Sequence, residues 1–459
     1  METSHDVRIW NIRVRKGARK TSYVVRWIVK GEEFQDTFTS SGQADSFRSN
    51  LVTASRKGEA FSTTTGLPVS QGSKASGINW YDFAVQYVDS VWANTAAHSR
   101  RSMAKTFTKA TIALLRRQPS DYEPVAVRRA LREYAFNKNK RESATSETQA
   151  ILGFIKRNTL SMAVWEDPAK VEDVLAQVNS RLDGKQNAAS SIRRNRNALS
   201  GIFDYAIKRG VLISDPMPKG KRDRVKTSST VDKRSLINPK QAAELLVWVR
   251  DQPRIGEILH AFFATMYYAG TRPEEATALR VRDVTLPDED AEDQWGELVL
   301  YEATSDVGSQ WTDSGKSFDE RHLKGRAEGD SRPVPCHPAL TRILRAEIKR
   351  RDLHPGDLLL RGLKGAKLHS VVIRRMWDKA RKAVLTDDDY HSALGKRVYD
   401  LRHTCLTTWL NSGIPPAQVA EWAGNSVPVL LRTYAHCIQG QFDHYKKRLE
   451  ETHRLSGSA

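Results

Sequence analysis

The sequence predicts a multidomain α+β protein: a small N-terminal β-sheet with a helix, a helical domain, and a mostly α domain carrying a small β-hairpin or sheet. Three patterns lead there. Residues 7 to 40 alternate with a period of two, residues 80 to 212 repeat apolar positions at helical spacing, and from Asn238 onward short alternating runs interrupt helical ones. At 459 residues the chain exceeds one core and suits two or three domains of about 100 to 200 residues each. Its 39% hydrophobic and 28% charged residues are the composition of a folded chain.

The runs VRIWNIRVRKG, TSYVVRWIVKG and EEFQDTFTS read as three strands turning at Gly17 and Gly31. Ala44, Phe47, Leu51 and Ala54 place one helix behind them, so residues 1–60 make a small, marginal unit. Residues 61–79, rich in Ser, Thr and Gly, read as a flexible linker. Residues 80–215 follow as a helical bundle: Trp80, Phe83, Tyr87, Val88 and Val91 share one face, and Arg193, Arg194 and Arg196 precede the apolar Leu199, Ile202, Phe203 and Ala206. Residues 216–237 form a basic, Ser/Thr-containing linker that either follows a phosphate backbone or is merely solvated. Residues 238–459 are the third domain. Helices are expected at Pro239 to Trp248, Glu257 to Tyr268, Pro273 to Leu279, Ala339 to Arg351, Val371 to Ala383, Asp400 to Asn411, Pro415 to Ala423 and Pro428 to His436, and strands at Glu297 to Glu302 and Arg332 to Pro335.

Several function classes are excluded. Cys336, Cys405 and Cys437 have no paired spacing, so neither a disulfide framework nor a zinc site is expected, and the setting should be reducing and cytoplasmic. The longest apolar stretch, around Ile258 to Ala269, is too short to span a bilayer and contains His260, and the N-terminus lacks the blocks of a signal peptide, so a soluble protein without a membrane partner is expected. Gly315-Lys316-Ser317 resembles the end of a phosphate-binding loop, but Gln310 stands where that loop needs glycine. The acidic run from Asp288 to Asp293 reads as a solvated loop. No metal or cofactor is expected.

Charge points to a partner. The net charge is +19, all of it carried by residues 1–250, with +9 over residues 81–210, while residues 251–459 sum to zero. Nucleic acid, double-stranded DNA included, fits such a surface better than an anionic membrane or a merely solvated face, because neutralising its phosphates releases condensed counterions.

The candidate chemistry lies in separate C-terminal segments: YYAGTRPEEATALRVRDV, HLKGRAEGDSRPVP, YDLRHTCLTTWLNSG and PPAQVAEWAGNSVPVLLRTYAHC. In the first, a helix ends at Gly270 and Pro273 starts another, fixing Arg272 at the junction, with Glu274 and Glu275 suited to the new helix's positive end. Asp400 and Ser426 are candidate N-caps for the helices carrying Arg402 and Tyr434. Over roughly residues 80 to 450 these segments resemble the tyrosine recombinases, the phage-integrase family of site-specific DNA recombinases.

The resemblance implies roles for individual residues. Arg272 matches the first catalytic arginine and Arg402, in DLRHT, the second. Tyr434 matches the nucleophile and Lys324 the catalytic lysine of a β-hairpin, with Arg332 entering the next strand. Two positions depart from the pattern: Tyr399 stands where the family usually has His, and Asn425 where it has His or Trp. Neither is a good proton acceptor near neutral pH, although both can hydrogen-bond a phosphate. Either catalysis proceeds with slower proton transfer, or base duty falls to another group such as His403, for which the competing reading is a histidine that packs its helix.

The residue types suit phosphodiester displacement. Two guanidinium forks can clamp the non-bridging oxygens, a tyrosine can attack phosphorus, and a lysine can protonate the leaving 5′ oxygen. The resemblance further implies a 3′-phosphotyrosyl intermediate, a Holliday junction, a homotetramer on DNA attachment sites, arm-type DNA binding by residues 1–60, and an accessory directionality or DNA-bending factor. A tail with Phe442, Tyr445 and Leu449 at helical spacing would dock on a neighbour or on its own domain. Two other readings stay open: a helix-turn-helix regulator built on Pro415 to His436 with Tyr434 as a packing or base-contacting residue, and a type IB topoisomerase-like relaxase.

Overall fold

A computed structural model describes residues 3–16, 21–63, 65–69, 75, 77–218, 230–287, 294–323, 329–437, 446–447 and 450–451. Lys324, the acidic run 288–293, residues 219–229 of the basic linker, and Phe442, Tyr445 and Leu449 of the tail lie outside them. The fold is mixed, mainly helical with small antiparallel sheets. The chain divides into two compact units, Met1–Thr227 with Ser309–Gly315, and Ser228–Gly308 with Lys316–Ala459.

The first unit opens with β1 (Thr3–Ser4), β2 (Val7–Ile9), β3 (Arg13–Lys16), β4 (Thr21–Val29) and β5 (Glu32–Phe38), followed by α1 (Ser41–Arg56). The first run of the sequence is two strands, not one: β2 and β3 both pair with β4, at different ends, and β5 takes its other edge. One face of β4 places Val25, Trp27 and Val29 against Ala44, Phe47, Leu51 and Ala54 of α1, the four positions expected from helical spacing.

The segment expected to be a flexible linker begins inside this core. Phe61 is fully buried in it, β6 (Phe61–Ser62) pairs with β1, and Trp27 Nε1 donates to the Gly66 carbonyl at 2.5 Å. Gly66 has φ +73°, and a Cβ there would lie 2.5 Å from the Phe34 ring. Its composition is that of a linker, but one aromatic and one close approach anchor it.

The bundle comprises α2 (Trp80–Val91), α3 (Ala97–Ala113), α4 (Pro124–Arg129), α5 (Ser146–Asn158), α6 (Pro168–Asn179) and α7 (Ala189–Lys208). Trp80, Phe83, Phe107, Phe136, Trp165 and Phe203 form its aromatic interior. Residues 309–315 belong to the same unit. Arg100, 2% exposed, donates to both carboxylate oxygens of Asp313 at 2.7 and 2.8 Å and to the Trp92 carbonyl, while its guanidinium lies over the Trp92 ring.

The second unit starts with α8 (Pro239–Arg250), where Asn238 and Gln241 form a capping box and Pro239 sits in the first turn. α9 (Gly256–Ala269) is apolar on nearly all sides and runs through the core. It stops at Gly270, which has φ +57°; a Cβ there would lie 2.7 Å from Leu406 Cδ1. α10 (Pro273–Ala276) is one turn, shorter than the Pro273 to Leu279 helix expected. A three-stranded sheet follows, β7 (Val284–Thr285), β8 (Gly296–Leu300) and β11 (Arg332–Cys336) in the order β11-β8-β7, with a second hairpin, β9 (Glu302–Asp306) and β10 (Phe318–His322), between the last two. Helices α11 (Pro338–Arg350), α12 (Ser370–Val384), α13 (Asp387–His391), α14 (Asp400–Asn411), α15 (Pro416–Ala423) and α16 (Val427–Tyr434) complete it. Among the described residues no helix is long and apolar enough to cross a membrane, the three cysteines are free and buried, and no His/Cys/Asp/Glu group could hold a metal ion.

Phe61→Ala should cost about 3 to 5 kcal/mol by removing a buried aromatic ring. Chemical denaturation followed by Trp27 fluorescence would check this; an unshifted transition would mean that residue 61 is linker after all.

Candidate functional site

Arg272 lies between the left-handed Gly270 and the N1 proline of α10, a junction with little backbone freedom. Glu275, one turn on, reaches back: its Oε2 accepts from the Arg272 backbone N–H at 2.8 Å and its Oε1 from Arg272 Nη1 at 2.6 Å. Glu275 is 1% exposed and also accepts from Arg332 Nη2 at 2.6 Å, with Arg402 Nη1 3.9 Å from Oε2. One buried carboxylate therefore serves three arginines.

Arg402, in the first turn of α14, donates Nη1 to the Gly270 carbonyl and Nη2 to that of Ala423. Arg272 donates Nη2 to the Gly424 carbonyl at 2.9 Å and to Asn425 Oδ1 at 3.1 Å. Both forks thus meet on the turn between α15 and α16. Gly424 is left-handed at φ +62°, and a Cβ there would collide with the Arg332 guanidinium and lie 3.3 Å from Arg272 Nη1. Glycine serves twice here, for its backbone angle and for its missing side chain.

Tyr434 ends α16, two helical turns beyond that turn, and is 2% exposed. Its Oη is 2.8 Å from His403 Nδ1, and the His403 ring is edge-on to Tyr399, centroids 5.0 Å apart. The expectation that His403 only packs its helix gives way to a hydrogen bond with the phenol. Arg402 lies 6.0 Å over the Tyr399 ring. The structure thus brings together Arg272, Arg402, Tyr434, His403, Tyr399 and Asn425; Lys324 falls outside the described residues.

Electrostatics follow from burial and crowding. Burial alone would raise Glu275, but Arg332, Arg272 and Arg402 outweigh it and hold the carboxyl at about 2. Burial would lower Arg272, yet Glu275 keeps it above its ordinary value. Arg332 is pushed down by burial and by the neighbouring Arg402 and Arg272, despite Glu275. Burial lowers His403 to about 4, so the imidazole is neutral at pH 7. Burial also carries the Tyr434 phenol well above its usual value, with Arg402 pulling the other way.

Two capping expectations are corrected. Asp400 is the first residue of α14, not its cap; its carboxylate accepts from the Arg397 N–H at 2.8 Å and pairs with the Arg397 guanidinium. Ser426 occupies the N-cap position of α16 but makes no side-chain capping bond. The sequence reading gave no site role to Arg332 and treated Glu275 as a dipole partner only. A signal for Arg332 existed: in β11, Arg332, Val334 and Cys336 are the buried face of a period-two strand, so its charge points inward.

Comparison with known structures finds similarity to the Tn1549 transposon integrase in complex with transposon right end DNA, at 16% identity and TM-score 0.46 over 68% of this chain and 96% of that one. The XerH site-specific recombinase bound to difH substrate is similar at 15% identity and TM-score 0.40, covering 79% and 96%. A lambda integrase dimer bound to a COC′ core site is similar at 13% identity and TM-score 0.43, covering 91% of each chain. No protein-family model and no curated protein sequence matches the chain.

A histidine buried neutral binds more protons unfolded than folded, so its contribution to stability is complete above its ordinary value of 6.5 and is lost as pH falls from 6.5 toward about 4. Urea unfolding across that window should therefore show a falling midpoint, and His403→Gln should flatten the slope. An unchanged slope in the variant would place the titrating group elsewhere.

Proposed function

We propose that the chain is a site-specific DNA recombinase of the tyrosine-recombinase class, the integrase of a phage or other mobile element. The observation that carries this reading is the meeting of two buried arginine forks, Arg272 and Arg402, on one turn, with the Tyr434 hydroxyl held by an imidazole on the arginine's own helix. The basic bundle supports it. On that unit Lys105 is lowered by burial and then by Arg101, Arg132 and Arg194, a crowding of cations suited to phosphates.

In this reading the scissile phosphate displaces the carbonyl contacts of the two forks and takes their N–H groups on its non-bridging oxygens. Tyr434 Oη attacks phosphorus and its proton passes to His403 Nδ1, which is free to accept when the neutral ring carries its proton on Nε2. The bond from phosphorus to the 5′ oxygen breaks, and that oxygen takes a proton from a general acid, the role the family resemblance gives to Lys324. The products are a 3′-phosphotyrosyl bond and a free 5′ hydroxyl. Attack by a 5′ hydroxyl of the exchanged strand reverses the step, so the linkage energy is conserved.

The raised phenol keeps Tyr434 protonated, hence a poor nucleophile, until its proton passes to a base. Assembly as a tetramer through a Holliday junction, and arm-site binding by residues 1–60, belong to the same proposal. A helix-turn-helix regulator would use α15 and α16 for base readout; a phenol hydrogen-bonded to His403 and acted on by the Arg402 charge suits reaction better.

The test is a suicide substrate. Candidate attachment-site duplexes nicked near the cleavage point, incubated with the protein in EDTA, should give an adduct that survives denaturing electrophoresis. Tyr434→Phe should give none, and Arg272→Lys or Arg402→Lys should form it at least about a hundredfold more slowly. Tight binding with no adduct from the unaltered protein, or an adduct from Tyr434→Phe, would overturn the reading.

A further inference from the structure

Beyond the two arginines of the proposed reaction, the site contains a third. Arg332 begins β11 on its buried face and is 1% exposed. Its Nη2 binds Glu275 Oε2 at 2.6 Å, and its guanidinium lies against the bare Cα of Gly424. The Nε atoms of Arg332 and Arg402 are buried with no hydrogen-bond acceptor among the described residues.

The charges do not balance. Three guanidinium groups share one buried carboxylate, with Glu274 acting on Arg272 from outside the cluster, which leaves an excess of positive charge in a region where the side chains of Arg272, Arg332 and Arg402 are 14%, 1% and 1% exposed. The next carboxylate on α14, Asp400, is taken by Arg397. Uncompensated buried charge is costly, and an anion seated among the three guanidinium groups would relieve it.

We infer that Arg332 is a positioning residue, and that with Arg272 and Arg402 it fits the site to a doubly charged phosphoryl group. The inference rests on the recombinase reading, in which a phosphodiester carries one negative charge in the ground state and two as the pentavalent transition state forms. Arg332 acts through Glu275. Its hydrogen bond keeps Oε2 3.9 Å from Arg402 Nη1, at ion-pair but not hydrogen-bond range, while Oε1 orients the Arg272 fork. Without Arg332 the carboxylate is free to close on Arg402 and cancel the charge meant for substrate.

The experiment compares two probes on the full-length protein at pH 8: inorganic phosphate, mostly a dianion, and dimethyl phosphate, a monoanionic diester. Thermal unfolding at graded concentrations gives the affinity for each, and Arg272→Met supplies the background from the basic surface of the other unit. The unaltered protein should prefer the dianion by about tenfold or more above background. Arg332→Met should bring the ratio close to one, and Arg332→Lys, which keeps the charge, should retain part of it. Because Arg332→Met removes a buried hydrogen-bond donor from Glu275 and lowers basal stability, Arg332→Gln, which keeps a neutral donor to that carboxylate, is included; it should hold the melting temperature better without recovering the preference. A dianion preference that survives in both Arg332→Met and Arg332→Gln would overturn the inference, as would its absence from the unaltered protein. If Tyr434 adducts form in either case, the recombinase reading stands without this role for Arg332; a preference that depends on Arg332 with no adduct would keep the role and remove the recombinase reading.

Discussion

A carboxylate buried at 1% exposure, Glu275, is the point around which the C-terminal unit is organised. It ties the α9–α10 junction to itself through the Arg272 N–H, reaches β11 through Arg332, and lies within ion-pair range of α14 through Arg402. Segments separated by more than a hundred residues thereby share one charge. Such a cluster contributes little to net stability, because desolvating four ions offsets most of their attraction. What it provides is geometry: each guanidinium is held from two sides, so the forks are aimed before any ligand arrives.

The backbone around that cluster is shaped to admit it. Gly270 and Gly424 both end helices in the left-handed region, and both approach neighbours too closely for a side chain, Leu406 in one case and the Arg332 guanidinium in the other. Their carbonyls, with that of Ala423, accept the hydrogen bonds of Arg402 and Arg272. Those contacts are to neutral acceptors, whereas Arg272 Nη1 is held by the charged Glu275. Tyr434 and His403 occupy the adjoining space, where burial keeps the phenol protonated and the imidazole neutral.

The N-terminal unit shows a different balance. Strand alternation and the α1 spacing were legible because burial on one face of a sheet or helix imposes a period on the sequence. The break between β2 and β3 was not, since Asn11 and Ile12 leave the ladder directly after Trp10, which still donates its N–H to the Arg26 carbonyl, and nothing local marks that point. The role of Phe61 was hidden by its surroundings: Ser, Thr and Gly predict flexibility, and a lone aromatic does not announce which core it will enter. Residues 309–315 were equally unreadable, because nothing local in that loop says that Asp313 will meet Arg100.

By itself the sequence determined the mixed fold class, the basic N-terminal half and the identity of Arg272, Arg402 and Tyr434 as the residues to watch. Those properties are written in composition, in helix punctuation by Gly and Pro, and in local motifs. Tertiary structure alone decided that Glu275, besides serving the N-terminal end of α10, faces inward to Arg332, that Arg332 joins the cluster, and that His403 meets Tyr434 across 31 residues. The physical reason is the same in each case. Whether a charge on a one-turn helix or an edge strand points to solvent or into the core depends on which oppositely charged or hydrogen-bonding group waits there, and that partner is supplied by a distant part of the chain.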